Sequence, residues 1–197
     1  MVRFQSRFMG VDPVLGVEMN STEEVACIDY DFASTYLKAL RGSNLIIPKP
    51  DKPFLISVWE EDLKHAVEIA LKLKKMNFEL VATEETANVL VGVGISDVKV
   101  LKKLSDRDAG DSIIDYLHNR QIGLIIHNPT FGDKAGSAEG YALQRMAVEL
   151  LIPMMTNIGS ARALVNSMEK NGYDSSSQVL LLNDLLKNTP YQNTYSK

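Results

Sequence analysis

From residue 53 onward the chain alternates short apolar runs with longer stretches of helical spacing. Phe54-Leu55-Ile56-Ser57-Val58 is a nearly continuous apolar run, the pattern of a strand covered on both faces. The stretch after it puts Leu63, Val67, Ala70 and Leu71 on one helical face. Leu80-Val81-Ala82 reads as a second strand, followed by a helix that starts at Thr83 or Glu84 and runs to Val91. Val98-Lys99-Val100-Leu101 is a third strand and 112–119 a helix; Gly123-Leu124-Ile125-Ile126-His127 is a fourth strand and 140–151 a helix. Ile152-Pro153-Met154-Met155-Thr156 and a helix over 160–170 close the series. This succession predicts an α/β fold, a Rossmann-like parallel five-stranded sheet with helices on both faces.

The flanks read differently. Residues 31–40 suit a helix ended by Arg41-Gly42, and 46–52 holds two prolines in the manner of a linker. Residues 1–29 offer short extended pieces broken by turn residues, with too little apolar periodicity to close a core alone. Beyond 173 there is one amphipathic stretch, 179–186, and a polar end expected to fray. The expected organisation is a leading unit with linker over 1–52, a domain over 53–172 and a tail over 173–197.

In open parallel sheets, ligands sit outside the carboxyl ends of the strands. That directs attention to 59–63, 83–86, 101–103, 127–130 and 156–159. Thr83 and Thr86 stand where the second strand meets its helix, a geometry suited to an anion on free N–H groups and hydroxyls. Plain capping by Thr83, with Glu84 and Glu85 at the positive end of the helix dipole, is the alternative. A carboxylate about 5 Å from a phosphate costs about 3 kcal/mol at an effective dielectric of about 20. Lys102 and Lys103 are the nearest candidates to offset it, while Lys64 points about 100° away from Leu63. His127 ends the fourth strand beside Asn128, either as a structural histidine or as a site residue. Phe131-Gly132-Asp133-Lys134-Ala135-Gly136-Ser137 reads as a mobile loop and lid candidate, without the spacing of a P-loop. Asp106, Asp108 and Asp111 suit helix capping better than a calcium loop.

Composition narrows the classes. The chain has 197 residues, 45% hydrophobic and 23% charged, with a net charge of −4, so it carries no electrostatic footprint for nucleic acid or an anionic membrane. The single cysteine, Cys27, excludes an internal disulfide and a thiolate zinc cluster. No run approaches the roughly 18 apolar residues of a membrane span. A cytoplasmic protein is expected, with a mitochondrial one left open.

Asp12-Pro13-Val14-Leu15-Gly16-Val17-Glu18-Met19 and Ser21-Thr22-Glu23-Glu24-Val25-Ala26 resemble the end of the second ATP-grasp unit in the carbamoyl-phosphate synthetase large subunit, with Glu23 where glycine is usual. The part from 53 to about 170 is similar to the C-terminal regulatory domain of that enzyme, of methylglyoxal-synthase-like fold. Ala82-Thr83-x-x-Thr86-Ala87 and Ile152-Pro153-x-x-Thr156-Asn157 carry this resemblance, and the two matches follow the family's own order.

The resemblance implies an allosteric effector-binding domain that tunes ATP-dependent carbamoyl phosphate synthesis. Its partners would be the remainder of the synthetase and a small-molecule effector: UMP or UTP, phosphoribosyl pyrophosphate, or N-acetylglutamate. It implies no cofactor in this chain, with ATP and Mg belonging to the parent enzyme, and a homo-oligomer is compatible with it. The effector-binding candidates are Thr83, Thr86, Lys102, His127, Asn128, Lys134, Thr156 and Asn157, with no catalytic residue and no metal ligand. Leu63 replaces a lysine of the nucleotide-binding pattern and Glu85 a glycine. Glu84 with Thr86 resembles the acetylglutamate type, which carries tryptophan where this chain has Lys102. Two other readings compete: an oligomerisation domain with a decayed site, and methylglyoxal synthase. The latter's catalytic aspartate would fall near Gly110, one residue from Asp111.

Overall fold

The computed structural model describes residues 25–102, 111–128, 134–173 and 179–187, the side chains of 134–138 and 186 excepted. Five strands form one all-parallel sheet in the order β3-β2-β1-β4-β5. They are β1 (Phe54–Val58), β2 (Leu80–Ala82), β3 (Val98–Val100), β4 (Leu124–Asn128) and β5 (Met154–Met155). The helices are α1 (Phe32–Gly42), α2 (Leu63–Lys75), α3 (Glu84–Gly92), α4 (Ile113–His118), α5 (Lys134–Glu149), α6 (Ile158–Asn171) and α7 (Leu182–Lys187). The fold class read from the hydrophobic pattern is the one observed.

Alternation along the strands builds two cores, one on each side of the sheet. Phe54, Ile56, Leu80, Leu124, Ile126 and Met155 face α1, α2, α3 and α6. Leu55, Val81, Ile125 and Met154 face α4 and α5, where Ile113, Leu117, Leu143 and Ala147 meet them. Successive side chains of a strand point to opposite faces, so both sets come from the same short runs.

Several expectations need correction. The buried face of α2 is Ala66, Ile69, Ala70 and Leu73, whereas Leu71 is 47% exposed. Positions 66, 69, 70 and 73 carry the i, i+3, i+4, i+7 spacing of the buried stripe, and Leu71 stands about 100° away from Ala70. Lys134 to Ser137, read as loop, form the first turn of α5. β5 is two residues long, because Pro153 has no N–H to give a ladder.

The segment before β1 is packed onto the sheet domain. Asp31 caps α1, accepting from the N–H groups of Ala33 (2.9 Å) and Ser34 (3.2 Å), and pairs with Lys170 of α6 at 2.9 Å. Leu37, Leu40 and Leu45 lie in the same core as Phe54 and Leu164. The proline-bearing stretch also lies close. A Cβ on Gly123 would meet Pro48 Cβ at 2.6 Å and Lys52 Cβ at 2.9 Å, so only glycine fits where β4 begins. Gly123→Ala is therefore expected to lower the urea midpoint, since the neighbouring chain would have to move off the sheet.

Candidate functional site

Strand order reverses at β1, whose neighbours are β2 and β4, and the carboxyl edge there is the crevice of such a sheet. The sequence changes character at this edge. Val81, Leu55, Ile125 and Met154 stand side by side in register as an apolar row. Two residues further along each strand stand Thr83, Ser57, His127 and Thr156. Alternation keeps this polar row on the same face, towards α4 and α5. Adjacent strands lie about 4.8 Å apart, so the row is about 14 Å long. Among the described residues, Thr83, Thr86, Ser112, His127, Gln144 and Ser167 are the buried polar side chains, and the first four lie at this edge.

The threonine pair forms a short relay. Thr86 is fully buried on the first turn of α3, and its Oγ1 accepts from the Val58 N–H at 3.4 Å. Thr83 donates to the same oxygen at 3.3 Å. Thr83 takes the N-cap position of α3, yet its hydroxyl makes no capping bond. Plain capping is therefore not its role. Hydroxyl protons rotate, so the pair can also run outward, from Val58 N–H through Thr86 to Thr83 and on to an acceptor. The first N–H groups of any α-helix lack partners within it, which adds donors at the same place.

Glu84 and Glu85 are exposed, while the threonines flanking them are buried. Exposure decides their electrostatic weight. A carboxylate about 5 Å from an anion costs about 1 kcal/mol near the dielectric of water, against about 3 kcal/mol if buried. A hydrogen bond to a charged group contributes about 1.5–3 kcal/mol, so the donors outweigh the glutamates.

His127 is 8% exposed, and its Nδ1 donates to the Ser57 carbonyl oxygen at 3.1 Å. A carbonyl can only accept, which fixes the tautomer and leaves Nε2 with a lone pair. That Nε2 is buried with no hydrogen-bond partner. Burial pushes the imidazole below its ordinary value, partly opposed by the bond to Ser57.

The other candidates divide. Asn128 lies on the opposite face and donates to Asp62 at the start of α2. Asn157 is exposed and caps α6, accepting from the Ser160 N–H at 3.0 Å. Lys102 is exposed between β3 and α4: its N–H donates to Asp111 O and its carbonyl accepts from Ile113 N, each at 3.1 Å. Lys134 is the first residue of α5, its side chain lying outside the described residues, as do Lys103, Asp106, Asp108, Gly110 and residues 12–24 of the ATP-grasp-like stretch. Asp111 is committed to Lys99 at 2.6 Å, a pair that holds the lysine up at about 12. That contact engages one of its two carboxylate oxygens. Sequence reasoning missed Ser57 and Ser112. Ser57 had a signal, as the one polar residue in its run, two after Leu55.

Residues 65–156 match the family described as MGS-like domain. The chain is 44% identical over 160 residues to a protein of Methanocaldococcus jannaschii named carbamoyl phosphate synthase large chain, C-terminal section, covering 81% of this chain and 25% of that one. The protein of the same name from Methanopyrus kandleri is 39% identical over 163 residues, covering 83% and 29%.

The chain carries an MGS-like domain. It is a homologue of carbamoyl phosphate synthase large chains and spans under a third of the length of these two. A solved structure of methylglyoxal synthase from Elizabethkingia anophelis is similar at a TM-score of 0.44 and 18% identity, with 59% of this chain and 78% of that one covered.

The buried imidazole gives the MGS-like domain a pH dependence with a defined sign. His127 has a lowered value in the folded chain, so the unfolded chain binds more protons below 6.5, the ordinary histidine value. Its contribution is complete above 6.5 and is lost as pH falls from there through the lower folded value. Urea midpoints at pH 7 and pH 5 should fall less for His127→Gln than for the wild type.

Proposed function

We propose that this chain is the allosteric effector-binding domain of a carbamoyl phosphate synthase, with its effector at the carboxyl edge around Thr83, Thr86 and His127. The observation that carries the reading is the threonine relay at the start of α3: two buried hydroxyls bonded to each other and to the Val58 N–H, beside the exposed residues Glu84 and Glu85. That arrangement suits a phosphorylated ligand, a nucleotide such as UMP or UTP or a phosphoribosyl compound. Lys102 adds a solvent-facing cation at the neighbouring strand end. The remainder of the synthase would be the partner, and ATP and Mg would act there. An effector shifts an enzyme only if it binds two of its states unequally, so regulation requires that partner.

Calorimetric titration of the purified chain with UMP, UTP, phosphoribosyl pyrophosphate and N-acetylglutamate tests the reading. Binding of at least one phosphorylated compound is expected; silence with all four would refute it. A decayed site is the second reading, favoured by Leu63 in the first turn of α2 where the nucleotide-binding pattern has lysine. Leu63→Lys with Glu85→Gly separates the two. An intact site for a phosphorylated effector binds before the change and gains affinity after it; a decayed site binds only afterwards.

A further inference from the structure

The orphaned nitrogen of His127 says more about the ligand than the threonines do. Leaving a buried acceptor unpaired carries a penalty, and native chains keep few such groups outside functional positions. This one is more than nine-tenths buried and sits at the carboxyl edge beside the strand-order reversal. Its tautomer is fixed by Ser57, so Nε2 can do one thing in the neutral ring: accept. The ring is held neutral near pH 7 by its burial.

Position adds a length. Thr83 and His127 flank Ser57 in one row, two strand spacings or about 10 Å apart along the backbone. A bare phosphate on α3 is too small to serve both ends. A ligand that does so has an anionic group and, further along, a hydrogen-bond donor.

We propose that His127 is the specificity residue of this site, accepting a hydrogen bond at Nε2 from a sugar hydroxyl of a phosphorylated ligand whose anionic end lies on α3. This rests on the effector reading given above and sharpens it: ligands are sorted by the donor they present to His127. N-Acetylglutamate presents a single amide N–H, whereas the sugar of a nucleotide presents hydroxyls. Because Nε2 is closed off from solvent, the donor reaches it by displacing what covers the ring, and the cost of the orphaned acceptor is relieved in the bound state.

The test uses the full chain with UMP and 2′,3′-dideoxyuridine monophosphate. His127→Phe keeps the ring's bulk and removes the acceptor; His127→Gln keeps an acceptor near Nε2. UMP affinity should fall about 3- to 10-fold in His127→Phe, the range of one neutral hydrogen bond, and recover in His127→Gln. The dideoxy compound should bind wild type and His127→Phe alike. As a second readout, the Nε2 nitrogen-15 resonance of wild type should move upfield from its pyridine-like position when UMP is added. If UMP binds but neither the resonance nor the His127→Phe affinity changes, the specificity role is wrong and the effector site stands. If the dideoxy compound suffers the same loss in His127→Phe, the donor is not a sugar hydroxyl and the proposal is overturned. If no phosphorylated compound binds wild type, the effector reading itself fails, and this inference with it.

Discussion

Replacing Thr83 and Thr86 together by valine should lower the affinity for UMP about ten- to a hundredfold. Valine matches threonine in shape, so the change removes hydroxyls and little else. In the outward relay Thr86 gives its proton to Thr83, so Thr83 alone donates to the anion. One hydrogen bond to a charged group contributes about 1.5–3 kcal/mol, or about one to two decades of affinity. Thr86 has a second duty. It accepts the Val58 N–H, so its loss leaves a main-chain donor unpaired near the end of β1. Thr86→Val alone should therefore also cost about 1–3 kcal/mol of stability. Thr83→Val should not, because the Thr83 hydroxyl supports no backbone group. Titration calorimetry and urea unfolding of the two single variants separate binding from folding. If Thr83→Val left UMP affinity unchanged, the relay would not be the anion's partner.

The second large effect is expected far from the site. Leu37→Ala in α1 should destabilise the chain by about 2–5 kcal/mol, the usual range for emptying a filled leucine position. Leu37 is 2% exposed and shares a core with Phe54 of β1 and Leu164 of α6. Phe32, on the same helix and 68% exposed, is the milder comparison: it stacks on Tyr36 at 5.5 Å, so Phe32→Ala should cost about 0.5–1.5 kcal/mol. A single urea transition displaced by Leu37→Ala means that α1 unfolds with the sheet. An undisturbed main transition would instead assign α1 to a separate unit ahead of residue 53.

What could be read in the sequence follows from what the physics makes local. Strands β1, β2 and β4 are buried on both faces, so each is a short apolar run with polar ends, legible without knowledge of its neighbours. The parallel order follows from helices between strands. The face of α2 was legible in the i, i+3, i+4, i+7 spacing of Ala66, Ile69, Ala70 and Leu73, but a second apolar stripe through Leu63, Val67 and Leu71 overlaps it and competes for the same reading. The start of α5 was misread because Gly132 and Gly136 suggested a loop, while the helix tolerates Gly136 within its first turn.

The site was legible in part for the same reason. Thr83, Thr86, His127 and Thr156 could be placed at strand ends one strand at a time. That Thr83, Ser57, His127 and Thr156 form one row depends on the register of four strands, which no single segment encodes. The weight of Glu84 and Glu85 was likewise undecidable from spacing, since their cost near an anion depends on exposure. Asp111, whose spacing suits helix capping, instead pairs with Lys99, twelve residues away on the edge strand, and Ser112 caps α4.

An effector seated on the start of α3, at the carboxyl edge of the sheet, leaves a pattern in the amide chemical shifts of the nitrogen-15-labelled chain titrated with UMP. The largest shifts should fall on the N–H groups of Glu84, Glu85 and Thr86, with Val58 and His127 following. Shifts concentrated instead along α1 and α6, or none at saturating UMP, would contradict this placement.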